Sequence, residues 1–270
     1  MKQLPIISVV TVSYNAVSTI EQTILSVVNQ TYPRIEYIII DGGSTDGTVE
    51  VIKKYADRIA YWVSEPDKGI YDAMNKGGRK AIGDFIQFLN AGDWLENEHI
   101  IEKIFKDGVK EADVIYGDMI VRRMDGVYYA KAQDLSRFKN DFPLFHPSTF
   151  IAKSVFIKHL FDVSYRISAD FKLLRDVYYK QGKFVYFPVS ITNFDGIYGL
   201  SSSGHSMEMF RERGRILGVD KTLMWKITCI NYYIQLNFKS AIKKILKLCA
   251  YSSYQRLMEK RIPSYLEKLS

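Results

Sequence analysis

The residues placed to do chemistry in this chain stand where apolar runs stop. Phe85-Ile-Gln-Phe-Leu89 is a short, nearly continuous apolar run of the kind that forms a strand buried on both faces. It ends in Asn90-Ala-Gly-Asp93, so Asp93 lies just past the carboxyl end of a strand, where open α/β sheets bind ligands. With no Lys or Arg beside it, that carboxylate suits a hard divalent cation carrying a phosphate. The same residues also read as an ordinary turn before a helix expected from near Glu96. Asp41 follows Ile35-Glu-Tyr-Ile-Ile-Ile40 in the same way and heads Asp41-Gly-Gly-Ser-Thr-Asp-Gly-Thr48, where it can cap the Gly-Gly turn. Asp170 opens a helix after Ser168, a place where a first-turn acid is stabilised by the helix dipole. His146, one of four histidines, sits in a Pro-bounded loop, where a lone His is more often structural than functional.

These positions need a scaffold, and the pattern supplies one. Ile6-Ile-Ser-Val-Val-Thr-Val12 is a β-branched run ending in Ser13-Tyr-Asn15, and a helical pattern starts at Ser18. Strands at 35–40, 59–63 and 84–89 alternate with helices that follow residue 48 and span 70–81. Strand and helix alternating with short connections predict a parallel sheet covered by helices. Its strand ends share one edge, so Ser13–Asn15, Asp41–Gly43, Glu65–Asp67 and Asn90–Asp93 should converge. Strands near 114–118, 127–130 and 184–191, with a helix from Ser168, make the second half more mixed.

At this point the residues match a known pattern. Ser8-Val-Val-Thr-Val-Ser-Tyr-Asn15, Asp41-Gly-Gly-Ser-Thr-Asp-Gly-Thr48, Asn90-Ala-Gly-Asp93 and Asp170 in Ser-Ala-Asp resemble, in order, the motifs of family 2 glycosyltransferases. The resemblance covers about residues 6–215. Glu65-Pro-Asp-Lys-Gly-Ile-Tyr-Asp-Ala-Met-Asn-Lys-Gly77 is similar to segments of enzymes of bacterial capsule, exopolysaccharide and O-antigen assembly. The family implies a GT-A fold, which is α/β and Rossmann-like: a mostly parallel sheet flanked by helices, with a mixed acceptor-side half. It also implies a nucleotide-diphosphate-sugar donor and inversion at the anomeric carbon.

The resemblance implies roles as well. Val12, Ser13, Tyr14 and Asn15 would hold the nucleotide, chiefly through backbone groups, and Asp41 would accept a base N–H. Asn90 would hydrogen-bond a ribose or a metal-bound water, and Asn75 would lie near the donor, with a structural hydrogen bond as its alternative. Asp93 would bind Mg²⁺ or Mn²⁺ bridging the diphosphate, a Lewis-acid role. Asp170 would be the general base and His146 would line the acceptor side. Gly199-Leu-Ser201, His205 and Arg211 would belong to a late loop that closes on the diphosphate. The family commonly shows Asp-x-Asp, whereas Asn90 and Gly92 leave one strong ligand here, which implies modest metal affinity.

The expected activity is inverting transfer of one sugar, from a UDP donor by default, to a lipid-linked glycan in bacterial surface polysaccharide synthesis. A sugar-phosphate nucleotidyltransferase would need basic residues in a Gly-rich loop by the first strand, and Ser13-Tyr-Asn-Ala-Val-Ser18 has none. A catalytically degenerate nucleotide-sugar-binding protein is the other alternative, motivated by positions 90 and 92.

Charge divides the chain. Residues 221–270 hold ten Lys/Arg against two Asp/Glu, and the first 220 residues are close to neutral. This predicts a glycosyltransferase domain over 1–220, with a nucleotide-sugar half at 1–95 and an acceptor half at 96–220, followed by a basic helical extension over 221–270. Leu223, Ile227, Ile230 and Ile234 form an apolar helical stripe, and basic amphipathic helices of this kind lie on anionic membrane surfaces or pack on their own domain. No window is long and apolar enough to span a bilayer, no signal peptide is evident, and no nucleic-acid recognition motif accompanies the charge. The expected location is cytoplasmic, peripheral at the inner face of a bacterial plasma membrane, with Cys229 and Cys249 buried and reduced.

Overall fold

The computed structural model describes residues 4–108, 111–196, 206–234 and 265–269. Four strands come first: β1 (Ile7–Ser13), β2 (Ile35–Asp41), β3 (Tyr61–Ser64) and β4 (Phe85–Phe88). They pair in parallel in the order β4-β1-β2-β3. Helices α1 (Ile20–Val28), α2 (Thr48–Lys54) and α3 (Ile70–Lys80) form the crossovers between them. All seven residues of β1 are buried, and alternation sends them to two cores. Ile7 and Val9 join α1, α2 and α4 (Ile100–Phe105) on one face, while Val10 and Val12 join Tyr71 and Met74 of α3 on the other. A strand covered on both faces reads as a continuous apolar run, and this one does.

The remaining strands make the second half mixed. They are β5 (Trp94–Leu95), β6 (Val114–Arg123), β7 (Gly126–Ala130), β8 (Thr149–Ala152), β9 (Phe184–Asp195) and β10 (Leu266–Lys268). Antiparallel β8 joins β4 to β6, β7 continues outward from β6, and β9 runs parallel to β6 and turns back onto β5. Helices α5 (Lys153–His159), α6 (Ala169–Tyr179) and α7 (Ser206–Leu217) add Phe156, Phe171, Leu174 and Ile216 to the core that holds Met74.

Three local expectations change. The helix expected from near Glu96 begins at Ile100, because residues 94–95 pair with Thr192 and Asn193. The third strand starts at Tyr61 after a 3-10 turn at Ala56–Arg58. Residues 266–268, expected within a helical extension, form an edge strand on β7. A further helix spans 223–234, and there Trp225 and Tyr232 stack on Phe210 of α7. Gly214 makes the room, since a Cβ there would lie 2.3 Å from the Trp225 ring. Leu223, Ile227, Ile230 and Ile234 stay 74%, 45%, 59% and 57% exposed. Cys229 is a half-exposed free thiol rather than a buried one, and Cys249 lies outside the described residues.

Candidate active site

The predicted strand-end turns meet, and hydrogen bonds lace them together. Asn15 takes a left-handed φ of 48°, tolerable for Asn, and its N–H donates to Ser44 Oγ at 2.8 Å. Its side-chain oxygen accepts from Thr45 N–H, while Ala16 and Val17 N–H reach Thr48 Oγ1 and Asp46. Ser13 carbonyl accepts from Gly42 N–H, and the Val12 carbonyl accepts from Ala91 N–H, tying β1 to the turns after β2 and β4. Tyr14 is 67% exposed beside Gly42, where an added Cβ would meet Tyr14 and lie 2.5 Å from Asp67 Oδ2. Tyr14, Gly42 and Asp67 thus meet at this sheet edge.

Asp41 is fully buried and organises this edge. Its carboxylate accepts from the hydroxyls of Ser13, Ser44 and Ser64 at 2.8, 2.6 and 2.7 Å, and from Gly43 and Ser44 N–H. Burial alone would raise its pKa, but these bonds, Ser44's foremost, outweigh it and hold the carboxyl below its ordinary value. A nucleobase N–H could reach Asp41 only by displacing one of these donors. The turn-capping role is the one the geometry displays.

The turn after β4 is fixed by a residue outside every motif. Thr23, buried in α1, accepts from Gly92 N–H at 3.0 Å and donates to the Asp93 carbonyl at 2.7 Å. Gly92 has φ +105°, a conformation that strains any L side chain, so the missing carboxylate at this position has a backbone cause. Asp93 is 5% exposed, and Asp195 N–H approaches its Oδ1 at 3.3 Å. Burial, with Asp195 nearby, pushes the Asp93 carboxyl up to about 8. A bound cation reverses such a shift by supplying positive charge. The Asn90 side-chain oxygen is buried without a partner. A buried, weakly compensated carboxylate, with an unpartnered amide oxygen three residues earlier in the same turn, suits an oxygen-seeking Mg²⁺ or Mn²⁺. Among the described residues, no group of three or more His, Cys, Asp or Glu side chains forms a fuller ligand set.

Asp170 sits in the first turn of α6 among buried aromatic rings. Tyr71 Oη lies 2.9 Å from its Oδ1 and 2.7 Å from the Ile167 carbonyl. His146 Nδ1 stands 4.0 Å from its Oδ2. The His146 ring stacks on Phe88 and meets Phe161 edge-on, and both of its nitrogens are shut from solvent without a hydrogen bond. Burial lowers its pKa against the opposing pull of Asp170, which favours neutral imidazole. His146 therefore backs onto Asp170 instead of lining an open acceptor surface. Buried Glu212 of α7 accepts the N–H groups of Arg166, Ile167 and Ser168 at 2.5, 3.0 and 2.9 Å, capping α6 from outside.

Of the two readings of Asn75, the structural hydrogen bond is realised: the nitrogen donates to the Phe161 carbonyl at 2.8 Å, and the oxygen accepts Phe161 N–H at 2.9 Å. Arg211 lines a cleft of about 360 Å³ with Arg215, Asp220, Trp225 and Lys226, between α7 and the 223–234 helix, away from the strand-end turns. Ser201 and His205 lie outside the described residues. Thr23, Tyr71 and Glu212 were missed, because a helix-interior Thr, a periodic Tyr and a helical Glu carry no signal of their distant partners.

Comparison with known proteins places this geometry. Over 102 residues the chain is 42% identical to an uncharacterized glycosyltransferase of Mycobacterium tuberculosis, covering 37% of this chain and 39% of that protein's own length. The structure of S. aureus TarS 1-349 in complex with UDP-GlcNAc superposes with a TM-score of 0.63 at 16% identity, covering 93% of this chain and 77% of that one. The mannosyltransferase PcManGT from Pyrobaculum calidifontis, in complex with GDP-Man and Mn²⁺, gives 0.57 at 14% identity, over 94% and 84%. Both likenesses establish the GT-A arrangement of the fold. Residues 8–177, most of the chain, match the family described as Glycosyl transferase family 2, and the chain belongs to that family.

Proposed function

We propose that this chain is an inverting glycosyltransferase that moves one sugar from a nucleotide-diphosphate donor, with UDP the leading nucleotide, to an acceptor hydroxyl. The observation that carries the reading is the edge at which four parallel strands end, with Asp93 a buried carboxylate in the turn after β4 and the unpartnered amide oxygen of Asn90 in the same turn. The UDP-GlcNAc complex of TarS and the GDP-Man complex of PcManGT support the donor class. Tyr14, Gly42 and Asp67 shape the base end, and Asp93 with Asn90 would hold Mg²⁺ or Mn²⁺. When bound, the cation supplies charge neutralisation for the departing diphosphate. Asp170 takes the acceptor proton as the acceptor oxygen attacks the anomeric carbon from the face opposite the diphosphate.

The acceptor we assign is a lipid-linked glycan met at an anionic membrane surface. The exposed stripe Leu223, Ile227, Ile230 and Ile234, together with the excess of Lys and Arg over 221–270, supports that surface. No helix among the described residues is long and apolar enough to cross a membrane.

A thermal-shift panel of UDP, GDP, dTDP and CMP, each with and without Mn²⁺, tests the donor reading. A ligand that binds only the folded state at a hundredfold excess over its Kd stabilises it by about 2.7 kcal/mol. One nucleoside diphosphate should raise the melting temperature further with Mn²⁺, and Asp93→Ala should remove the metal increment. A panel without any shift overturns the reading.

A further inference from the structure

A general base needs one oxygen aimed at its substrate and the other held still. Asp170 has that asymmetry. Its Oδ1 faces Tyr71 Oη at 2.9 Å, and its Oδ2 faces the His146 ring at 4.0 Å. The phenol is bound from three sides. It lies 2.7 Å from the Ile167 carbonyl, its ring packs against Phe161 at 5.2 Å, and it is almost fully buried. The backbone it touches is itself clamped, since Glu212 of α7 takes the N–H groups of residues 166–168.

We propose that Tyr71 is the positioning residue of the base: its hydroxyl, shared between the Ile167 carbonyl and Asp170 Oδ1, fixes that carboxylate oxygen in place, leaving Oδ2 to receive the acceptor proton. This rests on the reading of Asp170 as general base. In the step, the acceptor O–H bond breaks with its proton passing to Asp170 Oδ2. The acceptor oxygen bonds the anomeric carbon, and the carbon–oxygen bond to the diphosphate breaks with its electron pair leaving on the diphosphate. Tyr71 gains and loses nothing.

The phenol suits a donor that never becomes an acceptor of charge. Burial first, and then the charge of Asp170, raises its pKa well above the ordinary phenol value, so it keeps its proton. Few other charged groups face this carboxylate. His146 approaches from the 146–148 turn, Glu212 of α7 contributes through the clamped backbone, and Arg213 lies over the Phe171 ring at 5.9 Å. Removing the Tyr71 hydroxyl therefore withdraws the direct donor to Oδ1.

The test reads kcat and KM for UDP release from UDP-GlcNAc in the full chain and its variants. In Tyr71→Phe, which keeps the ring against Phe161, kcat should fall about tenfold with KM unchanged. Placing 3-fluorotyrosine at position 71, which keeps a hydroxyl donor, should retain most of the wild-type kcat. An unchanged kcat in Tyr71→Phe overturns the proposal, because the phenyl ring preserves the packing and removes the hydroxyl alone. Asp170→Asn separates the two ideas. If Asp170→Asn retains wild-type turnover, the general-base reading fails and the proposal with it. If Asp170→Asn abolishes turnover while Tyr71→Phe leaves kcat in place, the proposal alone fails.

Discussion

Thr23 carries no charge and belongs to no motif, yet it closes the turn that bears Asp93. Its hydroxyl accepts Gly92 N–H and donates to the Asp93 carbonyl, and it is fully buried. Thr23→Val keeps the shape and deletes both bonds, leaving one buried and one part-buried main-chain group unsatisfied. The expected cost is about 1–3 kcal/mol, read as a lower urea midpoint. Mn²⁺ should also bind the variant more weakly, because the carboxylate loses its fixed turn. An unchanged midpoint together with unchanged Mn²⁺ binding would deny Thr23 this role. Legibility at this scale followed the length of each interaction. Asp41 and Asp93 stood out because they end apolar runs, a local pattern. The two readings of Asn75 stayed open because its partner, the Phe161 backbone, is 86 residues away. Gly92 looked like a defect in a carboxylate motif until its φ of +105° showed what the backbone demands there.

Among the elements, α3 ties the two halves together, and it does so through a place where side chains are absent. A Cβ at Gly77 would come within 2.4 Å of Val10 Cγ1, and one at Gly78 within 2.1 Å of Phe156 Cε1. The Gly-Gly pair lets the helix rest on β1 and on α5, carrying Tyr71 toward Asp170 and Asn75 toward Phe161. Two effects oppose each other at Gly78. Helix propensity favours Ala over Gly by about 1 kcal/mol, whereas forcing a methyl into a packed core costs about 1–3 kcal/mol. Phe156 is fully buried and has nowhere to go, so packing should win. Gly78→Ala should thus lower the urea midpoint, and a raised midpoint would show that the helix can lift off the sheet. The alternation that revealed the parallel half reads short-range order alone. It missed β5, whose pairing with residues 192–193 belongs to distant chain, and for the same reason it started α4 too early.

For the molecule as a whole, the uneven charge was plain from composition, but the use of the tail was not. Stacking of Trp225 and Tyr232 on Phe210 fixes which side of the 223–234 helix faces the domain. The opposite stripe is left outward, beside a stretch of chain with ten Lys and Arg over 221–270. The helix therefore packs one face on its own domain and leaves the other open. Apolar residues entering a lipid interface and cations near anionic headgroups add, with each Lys or Arg worth roughly 1 kcal/mol at low ionic strength. The protein should therefore sediment with phosphatidylglycerol-containing vesicles at low salt and much less with pure phosphatidylcholine. Raising the salt shortens the Debye length from about 10 Å at 0.1 M to about 3 Å at 1 M, which should release it. Ile227→Glu with Ile230→Glu, both at exposed positions, should abolish vesicle binding without lowering the melting temperature. If the wild type ignores anionic vesicles at low salt, the exposed stripe serves a different partner and the membrane assignment falls. If the double variant still binds, charge alone carries the attachment and the apolar face takes no part in it.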